Sequence, residues 1–408
     1  MNCRNCGEKL SLAFVDFGSA SPSNAYLTPK TVNKPEKWFP LKIMICTSCW
    51  LVQTEDYPEA KELFTPDYAY FSSFSSMWLA HAKKYVKDIV TRFGLDSKSF
   101  VIEVAANDGY LLQYVKEKGI PCLGIEPTNS TATAAREKGI DIIEQFFGIE
   151  LAKKLVKENK YADLMVANNV LAHVPDINDF VEGFSILLKP DGIVTFEFAY
   201  LYNLVAQTQF DTMYHEHYSY LSLTTVKSIF EKHGLIIFDV EKLPTQGGSL
   251  RVFVCKNGTK LHTVSPRVKE LLSVEEKVGM KTIEYYAGFQ ERVDKIKNDF
   301  LLYLINEKKK GKKIIGYGAA AKGNTLLNYA GVRKDLISFV VDKNPDKQGK
   351  YLPGSRIPIV DESYIRSFKP DCIIIFPWNI KEEVMTQLSY IKEWGGKFVT
   401  AVPELRVL

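Results

Sequence analysis

The 408-residue chain has no run of about eighteen consecutive apolar residues, the length a helix needs to cross a bilayer. Its opening, Met1-Asn2-Cys3-Arg4, lacks the apolar core of an export signal, so the expectation is a cytoplasmic protein with no membrane partner. Charge of one sign is also scarce. With 52 Lys and Arg against 48 Asp and Glu, the net charge of +4 is too weak over this length to imply nucleic acid, which leaves small phosphate-bearing molecules as the anionic partners. No short-period repeat and no low-complexity tract occurs. Neither glycine-rich turn spells Gly-x-Gly-x-x-Gly, which disfavours a nicotinamide-dependent oxidoreductase or epimerase. Seven cysteines, an odd number with no export signal, argue against a disulfide framework. With 46% hydrophobic and 25% charged residues, the chain is long enough for two or three cores.

Four of the cysteines fall into two Cys-x-x-Cys knuckles, Cys3/Cys6 and Cys46/Cys49. Four thiolates at this doubled spacing can close a tetrahedral zinc site, as in zinc ribbons. Four sulfur ligands leave the metal no open position, so the zinc is structural and holds a small N-terminal lobe together.

The stretch Phe100–Tyr110 begins as a continuous apolar run, the mark of a strand buried on both faces in a parallel sheet. It breaks at Asn107-Asp108-Gly109 before a helical pattern. Gly109 lets a ligand approach the backbone at the strand's carboxyl end. Glu103 is costly inside such a strand unless it meets a cation. The ammonium and sulfonium of S-adenosylmethionine fit that need. The next strand, Pro121–Ile125, ends at Glu126, where Rossmann-like folds place the carboxylate that grips a ribose diol. Further strands at Asp163–Ala167 and Gly192–Phe198 alternate with helices, which argues for a doubly wound α/β domain.

Between and beyond these strands lie the candidate reactive groups. Thr65–Ser73 is an aromatic, turn-like segment ahead of a helix over Met77–Phe93; it reads as packing or as a phenol held over a cleft. Tyr214-His215-Glu216-His217 holds two of only six histidines beside a carboxylate and a phenol, the densest group of proton-transfer side chains in the chain. It is not the zinc-protease pattern, which needs His-Glu-x-x-His. Gly247-Gly248 reads as a hairpin turn or as a place where a sugar nears the backbone. Ser265–Lys310 reads as one long connecting helix. A second α/β unit follows: a strand enters the turn Gly316-Tyr317-Gly318, a helix opens near Lys322 as a candidate anion site, and strands at Ile337–Val341 and Cys372–Phe376 continue it. The expected division is 1–72, 73–264, 265–310 and 311–408.

In their order, these pieces resemble the nucleotide-sugar C-methyltransferases of deoxysugar biosynthesis. The marks are Cys3/Cys6/Cys46/Cys49, Glu103 to Gly109, Asn168 to His173, Tyr214 to His217, Gly316 to Thr325, and Asp342-Lys343-Asn344-Pro345 ahead of Gln348 to Gly354. Ala105-Ala106 departs from the pattern, because many class I methyltransferases carry glycine there. The resemblance implies an α/β fold: a central Rossmann-like domain for S-adenosylmethionine, a small N-terminal zinc lobe and a C-terminal Rossmann-like domain. It implies methyl transfer to C-3 of a nucleotide-linked 4-keto-6-deoxy sugar; a monomer is expected. His217 matches the family's base. Tyr214 and Glu216 match positions that orient the sugar, and Tyr70 would help hold the ketone or enolate. Glu103, Ala105, Asn107, Gly109, Glu126, Asn168 and His173 would form the cofactor pocket, and Gly318, Lys322 and Asn324 the site for the nucleoside diphosphate. The rival readings are transfer to oxygen or nitrogen, and a non-methylating sugar-binding or epimerase protein.

Overall fold

The computed structural model describes residues 1–58, 60–63 and 71–408. Tyr70 and most of the aromatic segment around it lie outside the described residues.

Among the described residues, three sheets organise the fold. The first is antiparallel: β1 (Leu12–Ala20), β2 (Phe39–Ile45) and β3 (Val52–Thr54) pair in that order. Its fourth strand is Ser219–Tyr220, which arrives from far along the chain and pairs Tyr220 with Val52. Phe14 and Phe17 face a core shared with the helix Phe289–Lys309, where Phe14 stacks on Phe289.

The second sheet begins with β4 (Val101–Val104), buried at every position because neighbouring layers cover both faces. Ile102 and Val104 enter one core and Val101 the other. The sheet continues with β5 (Cys122–Ile125), β6 (Ile142–Ile143), β7 (Ala162–Asn168), β8 (Leu188–Ala199), β10 (Leu235–Leu243) and β11 (Ser249–Lys256), β9 being Ser219–Tyr220 of the first sheet. The order is β10-β11-β8-β7-β4-β5-β6, with β8 to β6 parallel and β11 antiparallel to both its neighbours. Strand order reverses at β4, so a crevice opens at the carboxyl ends of β4 and β7.

The third sheet, β12 (Ile314–Tyr317), β13 (Val340–Val341), β14 (Ile359–Val360), β15 (Cys372–Ile375), β16 (Lys397–Thr400) and β17 (Arg406–Val407), runs β14-β13-β12-β15-β16-β17 and is parallel except for β17. Within the run expected as a strand from Ile337, only β13 is extended, because the Ile337 amide closes a turn onto the Arg333 carbonyl.

One expectation is corrected. Residues 265–310 form three helices, Pro266–Lys277, Ile283–Tyr286 and Phe289–Lys309, parted near Gly279 (φ 84°) and Gly288 (φ 70°). Gly247-Gly248 does turn the β10–β11 hairpin, but the space beside it is filled: a Cβ would meet Trp378 at position 247 and Asn203 at position 248. These glycines admit protein side chains. No helix among the described residues is long and apolar enough to cross a membrane.

Candidate active site

The cofactor crevice starts from the backbone after β4. Ala105, Asn107 and Gly109 all take left-handed conformations, with φ of 58°, 50° and 73°. That alternation curls the loop back on itself. At Gly109 a Cβ would crowd the protein, 3.2 Å from Ile140 and 3.3 Å from Ala135, and would be strained by the positive φ. Glycine is absent at 105, yet the left-handed loop is kept at the cost of one strained residue. Ala105→Gly is therefore expected to raise stability by about 0.5–1 kcal/mol in denaturant titrations. A net loss would show that the alanine methyl contributes packing.

Glu103 is 1% exposed, and no cationic side chain pairs with its carboxylate among the described residues. Burial raises its pKa well above the usual carboxylate value; the Tyr110 phenol and Leu112 amide oppose that without reversing it. A bound cation would supply the missing countercharge. Glu126 is also buried, and it braces the loops: Oε2 accepts the Asn107 amide (3.0 Å) while Oε1 accepts the Thr128 amide (3.0 Å) and hydroxyl (2.5 Å). Asn107 Oδ1 in turn accepts the Ser72 amide at 2.9 Å. Asn168, at the end of β7, pairs with Glu197, and its Oδ1 is buried without a partner among the described residues.

His217 stands beside this crevice. Its Nδ1 lies 2.6 Å from the Thr212 carbonyl, which can only accept, so Nδ1 carries the proton. Nε2 is then the bare lone pair, and the Tyr214 hydroxyl donates to it at 2.8 Å. Burial first, then the neighbouring His173 and Lys322 charges, hold the His217 pKa well below the ordinary histidine value. His173, expected on the cofactor side, packs edge-on against His217 at 4.6 Å between ring centroids and meets the Glu216 carbonyl through Nδ1 at 2.8 Å. Burial pushes Glu216 up to about 7. His215 faces away from the group; its Nε2 meets the Pro40 carbonyl at 3.1 Å.

The third sheet contributes Lys322, half-buried, whose Nζ donates to Asn379 Oδ1 (2.9 Å) and lies 4.9 Å from the Trp378 ring centre. Burial lowers its pKa, and the Asp211 carboxylate partly offsets this. Asn324 donates to the Ser23 carbonyl at 2.6 Å. Gly318 (φ 86°) allows close packing on Pro377, and Asp342 accepts the adjoining Ala319 amide at 2.7 Å.

The zinc lobe supplies contacts that sequence reasoning missed. Thr54 Oγ1 donates to the His217 carbonyl at 2.6 Å, and β3 pairs with the strand that follows. Arg4, between the first two cysteines, donates to the carbonyl of Pro175, in the loop that carries His173 (2.9 Å). No local pattern could have signalled these bonds, which join residues more than 160 positions apart. In the lobe itself the four Sγ atoms of Cys3, Cys6, Cys46 and Cys49 lie within 4.8 Å of one another. Sulfurs about 3.8 Å apart are what a tetrahedron with zinc–sulfur bonds of about 2.3 Å requires. Gln53 Nε2 donates to Cys3 Sγ at 3.2 Å, an outer contact of the kind that orients a ligand.

The strand order, the left-handed loop after β4 with a buried carboxylate that no cation compensates, and the four-thiol lobe define an S-adenosylmethionine-dependent methyltransferase with a structural zinc site. Three family models match successive parts of the chain: "Putative zinc binding domain" at residues 3–64, "Methyltransferase domain" at 78–239 and "C-methyltransferase C-terminal domain" at 244–403. C-methyltransferase NovU of Streptomyces niveus is 34% identical over 406 residues, 100% of this chain and 96% of that protein. The chain belongs to this C-methyltransferase family. Among solved structures, protein PH0226 of Pyrococcus horikoshii OT3 superposes with a TM-score of 0.38 at 15% identity, over 50% of this chain and 100% of that one. Magnesium protoporphyrin IX methyltransferase of Synechocystis PCC 6803 with bound SAH gives 0.36 at 13%, over 44% and 85%. Superpositions this loose add nothing to the strand order itself.

Proposed function

We propose that the enzyme methylates C-3 of a nucleoside-diphosphate-linked 4-keto-6-deoxy sugar through an enolate. The observation that carries this reading is the tautomer of His217: Nδ1–H is committed to the Thr212 carbonyl, so Nε2 keeps the basic lone pair, met by the Tyr214 hydroxyl. A carbon beside a ketone becomes nucleophilic only when its proton leaves. S-adenosylmethionine supplies an electrophilic methyl on its sulfonium sulfur. His217 Nε2 takes the ring proton, and the Thr212 carbonyl supports the imidazolium that forms. Tyr214, displaced from Nε2 by the sugar, turns its hydroxyl toward the ketone oxygen, where charge builds. Glu216 holds the ring. Holding both reactants in line accounts for much of the rate.

The diphosphate is assigned to Lys322, with Gly318 and Asn324 beside it. Supporting this, no carboxylate lies within ion-pair reach of Lys322 among the described residues, and its hydrogen-bond acceptor is a neutral amide. Lys322→Ala should raise the substrate's dissociation constant about tenfold with cofactor affinity unchanged; equal binding removes Lys322 from the site.

The test of the whole reading is incubation with dTDP-, UDP- and GDP-linked 4-keto-6-deoxy sugars in deuterated water. Exchange of one ring proton without the cofactor, and a new carbon-bound methyl resonance with it, are expected. Methylation without any such exchange capacity would overturn the enolate route.

A further inference from the structure

The Glu216 side chain is held by a residue of the zinc lobe. The Asn24 backbone N–H (3.3 Å) and side-chain Nδ2 (3.2 Å) both donate to Glu216 Oε1. Oε2 of the same carboxylate is buried without a partner among the described residues, and so is Oδ1 of Asn324. These acceptors flank one short piece of chain, because Asn324 Nδ2 donates to the carbonyl of Ser23, the residue before Asn24.

The piece is pinned along its length. Ser21 and Ser23 are buried, and the Tyr26 phenol donates to the Ala319 carbonyl at 2.5 Å. Leu27 and Tyr351 exchange backbone hydrogen bonds of 3.0 and 2.8 Å. Asn24 is therefore fixed by the third sheet's domain and delivered to a side chain of the methyltransferase domain. Two donors on one carboxylate oxygen fix the carboxylate and leave Oε2 as the oxygen without a protein donor among the described residues. A buried, unpartnered oxygen is costly, and a donor on the substrate would satisfy it.

We propose that Asn24 is a positioning residue: it holds Glu216 so that Oε2 accepts a hydrogen bond from a ring hydroxyl or amine of the bound sugar. The proposal rests on the sugar-methylating reading above. It requires a substrate ring bearing such a donor, and a fully deoxygenated neighbour to the reacting carbon would bind less tightly.

A double-mutant cycle tests it, with affinity for the dTDP-, UDP- and GDP-linked keto-sugars read by calorimetry in the full zinc-loaded protein. Asn24→Ala is expected to weaken binding of the accepted sugar about tenfold with S-adenosylmethionine affinity unchanged, the loss of a hydrogen bond to a charged group. In the Glu216→Ala background the same change should cost less than about twofold, since no carboxylate is left to hold. Asn24→Ser, which keeps a short donor, should recover part of the loss and serves if the alanine variant does not fold. Equal losses in both backgrounds, or none in either, would overturn the role of Asn24 while leaving the methylation reading intact. Wild-type protein that binds none of the sugars overturns both.

Discussion

His217→Asn should lower methyl transfer about a thousandfold and abolish exchange of the ring proton into deuterated water, within the range that loss of a general base costs. The argument is geometric before it is electrostatic. Thr212 fixes which nitrogen carries the proton, and Tyr214 holds the other in the crevice. Asparagine leaves the cofactor pocket intact, so S-adenosylmethionine affinity should be unchanged in a direct titration. Full retention of exchange would disqualify the assignment. The pH profile separates the two titrating groups. The folded His217 pKa is depressed, so the base stays neutral as pH falls through the ordinary histidine range and its acid limb appears only below it. Glu216, raised by burial to about 7, titrates where assays are run. An inflection near pH 7 that vanishes in Glu216→Gln is the expected signature.

Removing the zinc should silence the enzyme without emptying its cofactor site. A structural zinc contributes about 10–16 kcal/mol to the fold of a small lobe, as much as the whole stability of a typical domain. Chelation, or Cys3→Ser with Cys46→Ser, should therefore unfold β1 to β3. Their loss takes away the Thr54 bond to the His217 carbonyl and the pairing with Ser219–Tyr220. The loop after β4 and Glu126 depend on other contacts. The expected result is cofactor affinity within a few-fold of the zinc-loaded protein and proton exchange at background, read by calorimetry and proton resonance on the same sample. A stripped protein with full exchange would show that the lobe does not support the base.

The sequence made the parts legible wherever the physics is local. The two Cys-x-x-Cys knuckles name their own ligands, because the spacing sets the bite on the metal. The apolar run that starts at Phe100 and breaks at Asn107 announced a doubly covered strand, and β4 is buried at all four positions. The long charged segment misled, since helical periodicity continues across Gly279 and Gly288 although the backbone turns left-handed there. Gly247-Gly248 was legible as a hairpin turn, but what fills the space beside it was not. The partners that demand their missing side chains, Trp378 and Asn203, are distant in sequence.

By itself the chain's order of residues determined the two Cys-x-x-Cys knuckles, the strand-turn-helix around Glu103 to Gly109 and the grouping of Tyr214, Glu216 and His217, since each rests on neighbours a few positions apart. Only the tertiary structure decided which of these groups meet. Thr54 reaches the His217 carbonyl across 163 residues and Asn24 reaches Glu216 across 192. Such bonds form because burying three apolar surfaces together brings distant backbone and side-chain donors to acceptors that water no longer serves. No periodicity in the sequence encodes that meeting.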